Sequence, residues 1–157
     1  MAFKKYISAK DALVKAASFC AYQERCHKEV KDKLYGMGLN TDDVNWVITE
    51  LITENFLNER RFAEAFVRGK FNYKKWGRKK IEYALLQKAI TSGNIRLAMK
   101  QIDENEYKTV LKELLLEKSE TVNASNSFAK KDKLFKYAMG KGYETETIKE
   151  VLSEISL

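Results

Sequence analysis

The chain has 157 residues, 45% of them hydrophobic, and no proline, where average usage of about 5% would supply roughly eight. With only 7 glycines as well, it lacks the punctuation of a many-turned β architecture and points to helices joined by short connections. A net charge of +7, from 29 Lys+Arg against 22 Asp+Glu, and a pI near 9.3 favour an anionic partner, while a mean hydropathy of −0.48 argues against membrane spans.

A first helix is expected over roughly residues 8–25. Lys10, Asp11 and Lys15 interrupt its apolar part, so it carries no secretory core and the protein is expected to stay in the cytoplasm. Cys20 and Cys26 read as free, reduced thiols rather than a disulfide. A shorter helix follows, marked by Val30, Leu34 and Met37 and ended by Gly36 and Gly38. Val44, Val47, Ile48, Leu51 and Ile52 then trace the stripe of an amphipathic helix over about 41–54, with Thr41 as its expected cap and Asp42 and Asp43 in its first turn.

This pattern returns twice. Val30, Leu34, Leu39, Thr41, Val44, Ile48 and Leu51 align with Ile81, Leu85, Ile90, Ser92, Ile95, Met99 and Ile102, and again with Leu134, Ala138, Tyr143, Thr145, Ile148, Leu152 and Ile155. Every apolar position stays apolar, and Ser92 and Thr145 stand where Thr41 does. A further helix precedes the pattern each time, at 8–25, 58–75 and 104–118. The expected fold is therefore all-α, with tandem three-helix repeats at 1–55, 56–103 and 104–157 stacked into an elongated, curved array. Ser119 to Ser127 is expected to be a mobile surface loop, and Gly140-Lys141-Gly142 a helix end.

No catalytic or metal-binding pattern emerges: His27 is the only histidine, Cys26 adjoins it without ligand spacing, and no phosphate loop is present. What stands out is the run from Ala65 to Ile81, whose charged residues are all basic: Arg68, Lys70, Lys74, Lys75, Arg78, Lys79 and Lys80. Arg61, Arg68 and Lys75 recur every seven residues and should form one stripe of a helix; Trp76-Gly77 should be the turn after it. These cations around Trp76 suit phosphate contact, while Phe62, Phe66, Tyr73 and Trp76 are expected to pack as core. Lys130, Lys131, Lys133, Lys136 and Lys141 form a second basic cluster, which stacking of the units would bring onto the same face.

The run Asn55-Phe56-Leu57-Asn58-Glu59-Arg60-Arg61-Phe62-Ala63, continued by Phe66-Val67-Arg68 and Trp76-Gly77-Arg78-Lys79-Lys80-Ile81, resembles the G-x-[IL]-[DN]-[DE]-x-R-F-A … G-x-x-x-I core of the RecX regulators of RecA recombinase. Arg25 to Leu34, followed by Gly38, is similar to that family's R-x-x-S-x-x-E-L-x-x-K-L … G segment, with His27 where Ser is frequent. Asn58 stands where Asp is common and keeps the ability to cap a helix. The resemblance implies a monomeric, non-enzymatic protein of DNA repair, recombination and the SOS response. Such a protein binds the groove of the RecA–DNA filament, inhibits ATPase, strand exchange and filament growth, and in some members binds single- or double-stranded DNA weakly and without sequence preference. It implies fold positions at Arg61, Phe62 and Ala63 and contacts at Arg68 and the cations of 74–80. An independent DNA-binding module and a helical scaffold for another protein remain open as alternatives.

Overall fold

The computed structural model describes residues 7–157, among which nine α-helices and no strand are found. They form three successive triplets: α1 Ala9–Tyr22, α2 His27–Gly36 and α3 Thr41–Thr53; α4 Glu59–Asn72, α5 Arg78–Gln87 and α6 Ser92–Met99; α7 Glu104–Ser119, α8 Ser127–Lys141 and α9 Thr145–Ser153. Within each triplet every helix packs on the other two, the first and third most closely in the first two triplets, and extensive helix packing stays inside the triplet. The tandem three-helix architecture expected from the repeat is thus what the chain adopts.

Most helices begin on their own side chains. Ser8, Asn40, Asn58, Asp103 and Asn126 each accept from the backbone N–H three residues on, at 2.8–3.1 Å, and the Cys26 thiol does so at 3.4 Å. The caps of the repeated third helix fall one residue before the expected Thr41, Ser92 and Thr145, at Asn40, Thr91 and Glu144. Thr41, Ser92 and Thr145 are instead the first helical residues, because the apolar residue before each cap must already have turned inward.

Two cores result. Ala12, Ala16, Val30, Leu34, Val44 and Leu51 fill the first triplet by themselves. The second and third share one continuous core, in which Phe71 of α4 meets Tyr107 of α7 at 5.9 Å and Tyr107 meets Tyr143 at 5.0 Å between ring centroids.

The seam between the second and third triplets is built from backbone. α5 starts at Gly77 without a side-chain cap. Its orphan amides are satisfied from the third triplet instead: Gly77 N–H donates to the Lys141 carbonyl at 2.8 Å, Lys79 N–H to the Gly142 carbonyl at 2.9 Å, and Arg78 N–H to the Tyr107 hydroxyl at 2.9 Å. Only glycine fits on either side. A Cβ on Gly77 would lie 2.3 Å from the Gly142 carbonyl carbon, and Gly142, at φ +97°, would place one 2.4 Å from the Lys80 Cβ. Gly142 ends α8 in the left-handed conformation, as its place in the sequence predicts.

Candidate functional site

Arg78 and Arg61 are tied up in joining triplets. Arg78 pairs with Glu144 at 3.0 Å and with Glu104, its guanidinium 3.9 Å from the centroid of the Tyr107 ring. Burial works against its charge, but the hydrogen bonds it donates to both carboxylates outweigh it and hold its pKa above the usual value. Tyr107 also donates to Glu144 at 2.6 Å, and burial followed by that carboxylate drives its pKa upward. Arg61 Nε contacts Glu24 at 2.5 Å, and its other nitrogens reach Asn55 Oδ1 and the Asn55 and Phe56 carbonyls at 3.0–3.3 Å. It clamps the first triplet to the second, helped by Lys88 to Glu29 and by Lys28 to the Gln87 carbonyl, each at 3.3 Å.

The stripe Arg61, Arg68, Lys75 does not form. α4 ends at Asn72; Trp76 N–H turns back onto the Lys70 carbonyl at 3.1 Å, and Lys75 sits in that turn at φ +59°. The Lys75 carbonyl accepts from the buried Tyr143 hydroxyl at 2.9 Å. The same turn throws Tyr73 outward: it is 86% exposed rather than part of the core, whereas Phe62 is buried and Phe66 and Trp76 pack against the core.

The remaining cations surround this turn. Arg68 is exposed and reaches Gln101 at 2.7 Å; Lys74 and Lys79 are exposed and make no ion pair among the described residues. Lys70 and Lys80 stand over the Trp76 ring at 4.8 and 4.6 Å from its centroid. Arg78, Lys79 and Lys80 fill the first turn of α5, which holds no acid, although the helix dipole disfavours cations there. Glu104 and Glu144 answer Arg78, and nothing in the ion pairs of the described residues answers Lys79 or Lys80.

The second basic cluster meets the first at one end only. Lys141 touches Gly77 through its carbonyl, while Lys130 lies about 16 Å further along α8 at 1.5 Å per residue. Lys130 and Lys131 are half-buried, Lys133 donates to the Asn123 carbonyl, and Lys136 pairs with Asp132 at 3.0 Å.

Nucleophilic and metal chemistry have little to work with. Burial pushes the thiols of both Cys20 and Cys26 upward, the reverse of an activated cysteine. No group of three His, Cys, Asp or Glu is placed to hold a metal ion among the described residues, and no helix there is long and apolar enough to cross a membrane.

Residues 58–99 match the family described as "RecX, second three-helix domain". The regulatory protein RecX of Clostridium botulinum strain Eklund 17B is 31% identical to the chain over 158 aligned residues, covering 96% of this chain and 73% of that one. The chain belongs to the RecX family. The RecX protein of Oceanobacillus iheyensis is 27% identical, and the chain spans only 56% of its length. In fold, the crystal structure of RecX from Lactobacillus salivarius superposes with a TM-score of 0.86 at 23% identity, covering 93% of this chain and 95% of that one. A second RecX crystal structure gives 0.81 at 20% identity, covering 94% of this chain and 74% of that one.

Against this RecX background, two contributors escaped notice in the sequence. Lys118 and Tyr137 stand together in space, the ammonium 5.0 Å from the ring centroid, yet come from different helices. Tyr137 and Lys141 are four apart on α8, a spacing that places them on one face and was open to reading.

Proposed function

We propose that this chain is a non-enzymatic regulator that binds the RecA–DNA filament and inhibits RecA's ATPase, strand exchange and filament growth. Family membership supports a regulatory role. The observation that carries the reading further is the first turn of α5, where Lys79 and Lys80 face the positive end of a helix dipole without an acid to offset them. Such an arrangement lowers its energy when an anion arrives, and the DNA and acidic protein surfaces of a filament both supply anions. Three triplets in series carry exposed basic side chains in more than one unit, which suits a polymer better than a small ligand.

The test is RecA's DNA-dependent ATPase measured against increasing concentrations of this protein. Inhibition is expected, and Lys74→Glu with Lys79→Glu should raise the concentration needed by about tenfold, since each exposed charge pair is worth up to about 1 kcal/mol and two attractions become repulsions. Both side chains are exposed and make no ion pair among the described residues, so the variant keeps its fold. An ATPase indifferent to the unaltered protein would overturn the reading.

A further inference from the structure

An open groove of about 360 Å³ lies on the first triplet, with apolar walls from Leu13, Val14 and Ala17 of α1 and from Phe56, and with Glu50 and Glu54 also lining it. Val14 is 67% exposed and Phe56 39%, so both present apolar surface to solvent there. The Phe56 wall is already ordered. Asn55 follows α3 at φ +60°, Phe56 N–H returns to the Leu51 carbonyl at 2.9 Å, and Arg61 donates to the Asn55 and Phe56 carbonyls at 3.0 and 3.3 Å.

The charge at this groove runs against that of the molecule. α3 and its C-cap carry Asp42, Asp43, Glu50 and Glu54 and not one Lys or Arg, in a chain of net charge +7. Asp42 and Asp43 stand in the first turn, where the helix dipole favours acids; Glu50 and Glu54 stand at the opposite end, where it disfavours them. Neither glutamate makes an ion pair among the described residues, Lys10 and Lys15 of the neighbouring α1 included. Two acids one turn apart at the negative end of a helix, beside exposed apolar side chains, gain most from a cation that arrives with an apolar surface of its own.

We infer that this groove docks a basic amphipathic helix of a partner protein, its apolar stripe against Val14 and Phe56 and its Lys or Arg side chains on Glu50 and Glu54. The sign of the charge decides the class of partner: Glu50 and Glu54 repel nucleic acid and anionic lipid alike. The spacing decides its form, since acids at i and i+4 face cations that recur once per turn on a second helix. A wall held in place before binding lowers the ordering cost of docking. The inference goes beyond the filament reading and does not depend on it, because the groove belongs to the first triplet and the basic turn at Trp76 to the second.

The experiment uses the whole protein without RecA and reads fluorescence anisotropy of a labelled synthetic peptide of about 18 residues, five helical turns, with Leu along one face and Lys elsewhere. The peptide should bind with a Kd of about 10 μM or tighter, and more weakly as salt rises. A peptide with Gln in place of every Lys, and one of the same composition with its Leu residues scattered around the helix, should each bind at least about tenfold more weakly. Glu50→Lys with Glu54→Lys should also weaken the first peptide at least about tenfold while raising the urea midpoint, because it puts cations where the dipole of α3 favours them. Val14→Ser, at an exposed position that the fold does not need, should weaken it at least about threefold. The proposal is overturned if the peptide does not bind at about 100 μM, if either control peptide binds as tightly, or if the Lys pair binds like the parent. It is overturned as well by either rival occupant. A dimer of this protein that Val14→Ser dissolves would give the groove to a second copy. Phe3→Ser with Tyr6→Ser raising the affinity for the peptide about tenfold would give it to the chain's own first residues.

Discussion

Gly69 and Gly77, eight residues apart in sequence, answer to opposite constraints. A Cβ at Gly69 meets nothing within 4 Å, and the residue lies inside α4, so Gly69→Ala should raise stability by about 0.5–1 kcal/mol in urea unfolding. Gly77→Ala should lower it by about 2–3 kcal/mol, because the new carbon collides with backbone that cannot move aside. His27 offers a different handle. Burial, partly opposed by Glu59, depresses its pKa, so below the ordinary value of 6.5 the unfolded chain takes up a proton that the folded one resists. Stability contributed by neutral His27 is therefore present above about pH 6.5 and falls as pH drops towards the folded pKa, and His27→Gln should flatten that part of a stability–pH profile.

Helix α5 shows what an element gives up when its start is assembled elsewhere. Its first turn breaks the usual charge rule, so Lys79→Glu should stabilise the fold by about 0.5 kcal/mol while weakening inhibition of the RecA ATPase. A stability gain paired with a functional loss is the signature of a charge kept for binding; equal losses in both would mark it as structural. The helices themselves were legible because the stripe Val44, Val47, Ile48, Leu51 and its two echoes depend on nearest turns alone. The capping of α5 was not, since its partners Tyr107 and Gly142 lie 29 and 63 residues beyond Arg78 and Lys79, and no local pattern encodes them. The same holds for the site. The basic run around Trp76 is visible as composition, but the sequence reads Arg78 as an open contact and Arg61 as part of a basic stripe, because their partners Glu24, Glu104 and Glu144 come from other triplets. Lys75 was assigned to a helix that the turn at Tyr73 had already ended.

At the scale of the molecule the two seams differ in kind. The first rests chiefly on charged and polar contacts, Arg61 with Glu24 and Asn55, and on the buried side chain of Cys26, which the first triplet contributes to the core of the other two. Arg61→Ala should cost about 1–2 kcal/mol and speed amide hydrogen exchange in α1–α3 more than in α7–α9. The second seam buries Tyr107 and Tyr143, whose pKa values burial raises, with Glu144 adding to the effect at both. Above pH 10 the unfolded chain loses these protons while the folded one keeps them, so stability falls as pH rises. Their phenolate absorbance should appear together with loss of helical circular dichroism, and a double Phe variant should lack that coupled step. The consequence reaches into how such a molecule varies. A three-helix unit that closes its own core and meets its neighbour through surface charges can be exchanged or redrawn by altering a handful of side chains. The second and third units cannot be parted in that way, because a side chain gained at Gly77 has no room unless the backbone at Gly142 is rebuilt, so the two sides of that seam can change only together.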